Sequence, residues 1–297
     1  MIKKLAIFFA FLSLLSCSNQ TNKQVKPTYR IGYMICNSEK ETLKRFIPFT
    51  EYLSQKMDIN FELVALDTIN FTKEIDKLDF VHTNSLLYVI LNRFHGVEVL
   101  AAEKKGSLGY KSQGIILALK KSGLQKVADL KGKTMIFGPM LAPTGFMSQV
   151  DLLQQNGIDP EQDLAFYTIP RGSFKHEKVI YGVMFEKFAA GAIPLDDLEI
   201  MAADNRIDRE DFVILGKSEP IPYCNFAVTQ KIDEELAARF KKVVLSITED
   251  DTVEIDGERV KVLERALVDG YVDITNQEFD IVREMAKRTN MPPYQKY

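Results

Sequence analysis

Two alternating hydrophobic patterns run along the chain from residue 29 onwards. Short runs rich in apolar and β-branched residues predict buried strands at YRIGYMI, NFELVAL, DFVHT and VEVLAAE. Between them, apolar residues at helical intervals predict helices at KETLKRFIPFTEYLSQKMD, FTKEIDKL and SLLYVILNRF. Strands that alternate with helices in this order are typical of a mainly parallel sheet with helices on both faces.

The same alternation starts again near residue 110. Further strands are predicted at GIILALKK, TMIFG and LAFYTIP, and along FVILGKSEPIPYCNFAVTQ, which runs through a proline-containing segment from one strand to another. Further helices are predicted at LQKVADLKGK, GFMSQVDLLQQNG, HEKVIYGVMFEKFAAG, DEELAARFKKVVLSI and QEFDIVREMAKRT. We therefore expect an α/β protein with two lobes.

The N-terminus has the pattern of an export signal. Two lysines precede an apolar run over residues 5–15, and the small Ser16 stands directly before Cys17. The run is too short to span a bilayer, and LLSC resembles a lipobox, so we predict a signal peptide over 1–16 and lipid on Cys17. An ordinary secretory signal or an N-terminal anchor is the alternative. The polar stretch 17–28 is expected to be a flexible tether.

Charge and composition argue against a nucleic-acid partner and against a membrane-spanning segment after the signal. Removing the signal takes away two of the 38 basic residues and none of the 41 acidic ones, leaving a net charge of about −5, so nucleic acid is not expected as a partner. No later stretch is apolar enough to span a membrane, and a composition that is 46% hydrophobic supplies one large core or two smaller ones.

Cysteines and histidines give no metal or cofactor signature. Cys36 and Cys224 lie far apart in sequence in an exported chain, so a disulfide and two separately buried thiols both stay open. The histidines, at 82, 95 and 176, are scattered, so we expect no zinc site and no cofactor. No nucleophile elbow or phosphate-binding loop is present, so we do not expect an enzyme.

Four blocks of sequence resemble a known family. They are DFVHTNSLLYV, YKSQGIIL, VADLKGKTMIFG and SEPIPYCNFAV. Together, over residues 29 to about 245, they resemble the substrate-binding proteins of phosphate/phosphite/phosphonate ABC importers. The resemblance implies the type II periplasmic-binding fold: lobe 1 from 29–117 and 223–297, lobe 2 from 118–222, and a ligand cleft between them. It also implies a monomer that binds a small anionic or zwitterionic solute and delivers it to an ABC permease.

The expected anion-binding turn departs from the family. Where the family usually has Ser-Thr-Ser-Gly before a helix, this chain has Ala142, Pro143, Thr144 and Gly145. Thr144 can still cap the helix or donate its hydroxyl, and Gly145 still permits a close approach. Alanine and proline remove up to three donors, which would weaken the capture of a tetrahedral oxyanion at the helix N-terminus. A plain strand-to-helix turn capped by Thr144 is the alternative.

The resemblance also implies further ligand contacts. His176 matches a histidine at the start of the next helix, and Ser173 lies near the family's serine, although an inserted Phe-Lys pair alters the spacing. A surface or capping role is the alternative for His176. An acidic residue that the family places beyond this helix is replaced by Ala189. Nearby carboxylates are expected to be solvated rather than to compensate: Asp196, Asp197 and Asp204.

Aromatic and polar contacts complete the expected site. Tyr110, just before a crossover, is the more exposed tyrosine, whereas Tyr88 fits a core position on an apolar helix as well as the cleft. The other candidates lie at strand ends or in loops, where open α/β sheets bind ligands: Tyr33, Asn84, Ser85, Ser112, Lys111 and Arg171.

The sequence therefore predicts an exported, lipid-anchored solute receptor of an ABC importer. The alternative is a sensory or partner-docking lipoprotein with the same fold and a ligand other than a phosphonate.

Overall fold

The computed structural model describes residues 26–296. The predicted signal peptide and the lipidation candidate Cys17 lie outside the described residues. The strands are β1 Thr28–Met34, β2 Asn60–Leu66, β3 Phe80–Thr83, β4 Glu98–Lys104, β5 Lys111–Ser112, β6 Gly114–Leu119, β7 Thr134–Phe137, β8 Phe166–Thr168, β9 Ala190–Pro194, β10 Phe212–Lys217, β11 Ile221–Pro222, β12 Asn225–Val228, β13 Thr252–Ile255, β14 Glu258–Lys261 and β15 Gly270–Val272. The helices are α1 Glu39–Met57, α2 Thr68–Glu74, α3 Ser85–His95, α4 Ser148–Gln155, α5 Pro160–Asp163, α6 Lys175–Met184, α7 Leu195–Ala203, α8 Glu234–Ser246, α9 Val262–Ala266 and α10 Asp280–Arg288.

Two sheets form the cores of two lobes. The first has the order β15-β4-β12-β3-β1-β2, and the second has the order β10-β6-β9-β7-β8. Within them β1 is parallel to β2 and β3, and β7 is parallel to β8 and β9, whereas β12 and β6 pair antiparallel with their neighbours. The sheets are thus mixed rather than mainly parallel, because β6 and β12 enter each sheet from the other lobe.

The two connections between the lobes lie side by side. β5 and β11 form a short antiparallel pair, with Ser112 opposite Ile221. Strand β6 belongs to the second sheet. The chain therefore crosses between lobes at 111–112, slightly before the boundary expected between 117 and 118.

The main departure from the sequence prediction lies after α6. The predicted helix over 176–191 ends at Met184, and β9 and α7 follow it. A Cβ on Gly191 would lie 2.7 Å from a methyl carbon of Val179 and 2.9 Å from one of Val183, so only glycine lets α6 pack on this strand. The close packing of α6 requires small residues in β9. The strand therefore has few of the β-branched residues from which a strand is usually predicted.

Two smaller differences have local causes. The predicted helix over 124–133 is a single 3₁₀ turn at Val127–Leu130. The segment at Pro143–Met147 forms one π-helical turn before α4 begins. Among the described residues, no helix is both long enough and apolar enough to cross a bilayer.

Candidate functional site

A cleft of about 300 Å³ lies between the two lobes. The lobe 1 wall comes from the loop after β1, the start of α3 and the return crossover: Cys36, Asn37, Arg45, Asn84, Ser85, Tyr223 and Cys224. The lobe 2 wall comes from the turn before α4 and the first turns of α6 and α7: Leu141, Ala142, Pro143, Thr144, Phe174, His176 and Asp197. Polar helix starts facing each other across such a gap are typical of ligand sites in α/β proteins.

The turn before α4 uses its own backbone donors. The N–H groups of Gly145, Phe146 and Met147 all point to the carbonyl oxygen of Ala142, at 3.3, 3.0 and 3.4 Å. Pro143 has no N–H to offer. The backbone of this turn is therefore poorly equipped to hold an oxyanion, whereas Thr144 lines the cleft, with its hydroxyl accepting a long bond from Ser112 at 3.5 Å.

A buried glutamine fixes this turn from below. Gln149 is fully buried, and its Nε2 donates to the carbonyl oxygens of Thr144 at 2.6 Å and Ile193 at 2.9 Å, with a longer bond to Ile115 at 3.3 Å. One side chain thus connects the turn to β9 and β6. Sequence reasoning missed Gln149, because a glutamine on an amphipathic helix ordinarily indicates an exposed position.

His176 lies directly on the turn. Its Nδ1 is 2.7 Å from Asp197 Oδ2, and its Nε2 is buried without a hydrogen-bond partner. A Cβ added to Gly145 or Gly138 would come within 2.5 or 2.8 Å of that Nε2, so the imidazole occupies space that only glycines leave free. The carboxylate of Asp197 orients the ring, and Nε2 is the ring nitrogen that no group in the described residues pairs with.

The position of Asp197 corrects an expectation. It was expected to be a solvated surface carboxylate, but it lies in the cleft and bonds to His176. Asp204 also lines the cleft, whereas Ala189 lies just before β9, with its N–H donating to the Thr134 carbonyl.

On the opposite wall, α3 begins at the cleft. Asn84 caps the helix by accepting from the Leu87 N–H at 2.8 Å, and its Nδ2 donates across the gap to the Leu141 carbonyl at 3.1 Å. The Oγ of Ser85 is buried, and no group within residues 26–296 forms a hydrogen bond with it. An unpaired hydroxyl at a helix N-terminus favours an anion at this end of the cleft.

Charged groups lie deeper in lobe 1. Arg45 donates from Nε and Nη2 to the Ala266 carbonyl, at 3.0 and 2.8 Å, and its guanidinium lies 4.9 Å from the Phe46 ring centre. Below it, His82 Nε2 and Glu103 Oε1 are 2.8 Å apart, and both side chains are buried. Sequence reasoning missed all three, because their approach depends on pairing between distant strands.

The two remaining cysteines meet at the cleft. Both are free thiols and both line it; Cys36 is exposed and Cys224 is buried. Cys36 Sγ lies 3.9 Å from the Met34 carbonyl oxygen, and the two thiols are close enough for each to shift the pKa of the other. The arrangement differs from both alternatives drawn from the sequence, because the thiols are neither bridged nor separate.

Several predicted contacts do not line the cleft. Tyr33 is fully buried with its hydroxyl bonded to Thr50, and Tyr88 is fully buried with its hydroxyl donating to Asn276. The others lie outside or behind the cleft wall. Tyr110 bonds to Glu278, Ser112 is buried 3.5 Å from Thr144 Oγ1, and Ser173, Lys111 and Arg171 are exposed. The structure therefore brings together Thr144, Gly145, His176, Asn84 and Ser85 from the expected set.

A protein-family model described as ABC transporter, phosphonate, periplasmic substrate-binding protein matches residues 31–279. The chain belongs to this family. The resemblance drawn from the four sequence blocks is confirmed. No group of three or more potential metal ligands lies together in the described part of this family member.

Solved structures share the fold. PhnD1 from Prochlorococcus marinus, in complex with methylphosphonate, superposes with a TM-score of 0.74 at 16% identity, covering 89% of this chain and 98% of that one. A binding-protein component of an ABC phosphonate transporter from Pseudomonas aeruginosa gives 0.71 at 15% identity, covering 89% and 87%. The α/β fold class is therefore confirmed.

A curated relative comes from signalling. The tetrathionate sensor histidine kinase TtrS of Salmonella typhimurium is 24% identical over 236 residues, which are 74% of this chain. This chain spans 39% of the length of that sensor. The matched region is thus one part of a longer protein.

Proposed function

We propose that the chain is an exported solute-binding protein that captures a small anionic or zwitterionic solute between its lobes and delivers it to an ABC permease. The observation that carries the proposal is the buried, unpaired Nε2 of His176, which lies beside the Thr144 turn and across the cleft from α3. We further propose that Cys17 carries the lipid that holds the protein at the membrane.

The charges in the cleft favour a singly charged anion or a zwitterion. Three cationic or imidazole groups already face carboxylates: Arg206 with Glu177, His176 with Asp197, and His82 with Glu103. Arg45 donates to a carbonyl rather than to a carboxylate, and with Lys105, which also lines the cleft, it can balance the charge of a ligand. A dianion would meet more repulsion than compensation here, because like charges oppose each other strongly in a site of low dielectric.

A thermal-shift titration tests ligand binding. The purified protein is titrated with methylphosphonate, phosphate, phosphite, small sulfonates and tetrathionate, since a bound ligand stabilises the fold by RT ln(1 + [L]/Kd). His176→Ala is expected to weaken the ligand that emerges about 10- to 100-fold, because a hydrogen bond to a charged group contributes about 1.5–3 kcal/mol. His95→Ala, at the far end of α3, is the matched control. Equal affinity in wild type and His176→Ala would contradict this site.

The second candidate is ligand sensing, which the similarity to a sensor kinase favours. In that case closure of the lobes would be presented to a membrane receptor instead of a permease. Deleting the gene separates the two candidates: transport predicts loss of uptake of the identified ligand, whereas sensing predicts normal uptake and loss of a transcriptional response.

A further inference from the structure

The order of strands in the first sheet places the two cysteines together. β3 lies between β1 and β12, parallel to the first and antiparallel to the second. The C-terminal end of β1 and the N-terminal end of β12 therefore lie at the same edge of the sheet. Cys36 comes two residues after β1 ends and Cys224 comes one residue before β12 begins, so the sheet brings both thiols to the cleft.

The two thiols have different environments. Cys36 is exposed, whereas Cys224, which also lines the cleft, is only 5% exposed. The hydrogen bond with Cys224 lowers the pKa of Cys36, and nearby Arg45 and His176 lower it further against the effects of burial and Glu103. The same hydrogen bond and burial raise the pKa of Cys224 well above its ordinary value. An accessible thiol of lowered pKa beside a buried thiol of raised pKa is the arrangement of a nucleophilic and a resolving cysteine.

We propose that Cys36 and Cys224 form a reactive dithiol, a covalent modification site for small disulfide compounds that enter the cleft. The Cys36 thiolate attacks one sulfur of a compound R–S–S–R; a Cys36–S–S–R bond forms, the original S–S bond breaks, and RS⁻ leaves and takes a proton from water. Cys224 Sγ then attacks Cys36 Sγ, the Cys36–S–R bond breaks, and the proton of Cys224 passes to the departing sulfur, which leaves as RSH. The dithiol is oxidised by two electrons, and one small disulfide becomes two thiols.

Oxidised glutathione is the probe that tests this site. The full chain is reduced, freed of reductant and incubated with oxidised glutathione, and its peptides are mapped by mass spectrometry. We expect a Cys36–Cys224 disulfide in the wild type. Cys224→Ser should stop at a stable glutathione adduct on Cys36, and Cys36→Ser should leave Cys224 unmodified at the same exposure.

Some results of the oxidised glutathione experiment would overturn the proposal. Modification of Cys224 before Cys36, or a rate at Cys36 no greater than in the urea-unfolded chain, contradicts the assignment of nucleophile and resolving thiol. Accumulation of the mixed disulfide in the wild type, without closure to Cys36–Cys224, contradicts the dithiol. Cys224→Ala serves alongside Cys224→Ser if the serine variant melts early, because alanine places no hydroxyl in the buried position. The readout is chemical, so it is independent of whether the cleft binds a phosphonate.

Discussion

A buried glutamate at the cleft, Glu103, contributes a negative charge to lobe 1. Glu103 is 1% exposed and meets His82 Nε2 at 2.8 Å, while the other ring nitrogen of His82 is buried without a partner. Burial by itself would raise the pKa of Glu103, but His82, Arg45 and Lys105 outweigh it and hold the pKa below its ordinary value of 4.5. The carboxylate therefore stays charged and anchors the cations of lobe 1.

The lowered pKa of Glu103 predicts a stability that depends on pH. Because the folded pKa lies below the unfolded one, the stabilisation is complete above pH 4.5 and is lost as pH falls through the folded pKa. Glu103→Gln should lose about 1–3 kcal/mol at neutral pH and show a shallower loss of unfolding free energy on acidification. Urea unfolding at a series of pH values from about 3 to 7, roughly the range over which carboxylates titrate, measures both the loss of stability at neutral pH and its change on acidification.

The control for this prediction is Glu98→Gln, an exposed carboxylate on the same strand. It should leave both the stability and the acid slope close to wild type. If Glu103→Gln kept the full acid slope, Glu103 would not be the group responsible.

At the scale of elements, the turn before α4 is rigid because its donors bind its own backbone. Ala142 accepts from three successive N–H groups, and Gln149 holds the Thr144 and Ile193 carbonyls. If the cleft binds an anion as proposed, the side chains of Thr144 and His176, rather than these backbone amides, are expected to contact it. The same rigidity fixes where His176 can lie.

Gln149→Leu is expected to lower the free energy of unfolding by about 2–4 kcal/mol. Leucine has nearly the same volume but no amide, so it leaves buried carbonyl oxygens unsatisfied at about 1–3 kcal/mol each. Gln154→Leu, an exposed position on the same helix, is the control and should change stability by less than about 0.5 kcal/mol. Similar losses in the two variants would contradict the bracing role of Gln149.

At the scale of the whole molecule, a few polar contacts join the lobes across the cleft. Besides Asn84 with Leu141, the Phe174 N–H reaches the Asn37 carbonyl at 3.4 Å. Outside the cleft, Arg288 of α10 donates two hydrogen bonds, of 2.7 and 2.9 Å, to the carboxylate of Asp151 of α4. Asp151 is only 5% exposed on its side chain, so this interlobe ion pair is more than a surface contact.

Arg288→Ala should favour separation of the lobes. The loss leaves a mostly buried carboxylate, and we expect a cost of about 1–2 kcal/mol, between the values for exposed and buried pairs. Small-angle scattering of the ligand-free protein should give a larger radius of gyration than wild type. Lys287→Ala breaks an exposed pair within α10 and is the control. An unchanged radius would show that the pair does not hold the lobes together.

The features that the sequence predicted correctly are those that depend on residues close together along the chain. The strand NFELVAL was predicted at the residues where β2 lies, and α3 was placed within one residue, because periodicity and capping act within a few positions. β9 was not predicted, because the packing of α6 requires a glycine at position 191 and glycine does not indicate a strand. Tyr33 and Tyr88 were candidate contacts because the sequence gives a residue's place along a strand or helix, but not which layer of the protein covers it.

Local sequence patterns were enough to predict the two-lobed α/β architecture, the family, and the divergent turn at Ala142 and Pro143. Each of these follows from patterns a few residues long. Folded contacts were needed to show that Asp197 orients His176, that Arg45 lines the cleft, and that Cys36 lies near Cys224. These contacts join residues up to 188 positions apart, and strand order in a mixed sheet, rather than any local propensity, sets which side chains share an edge.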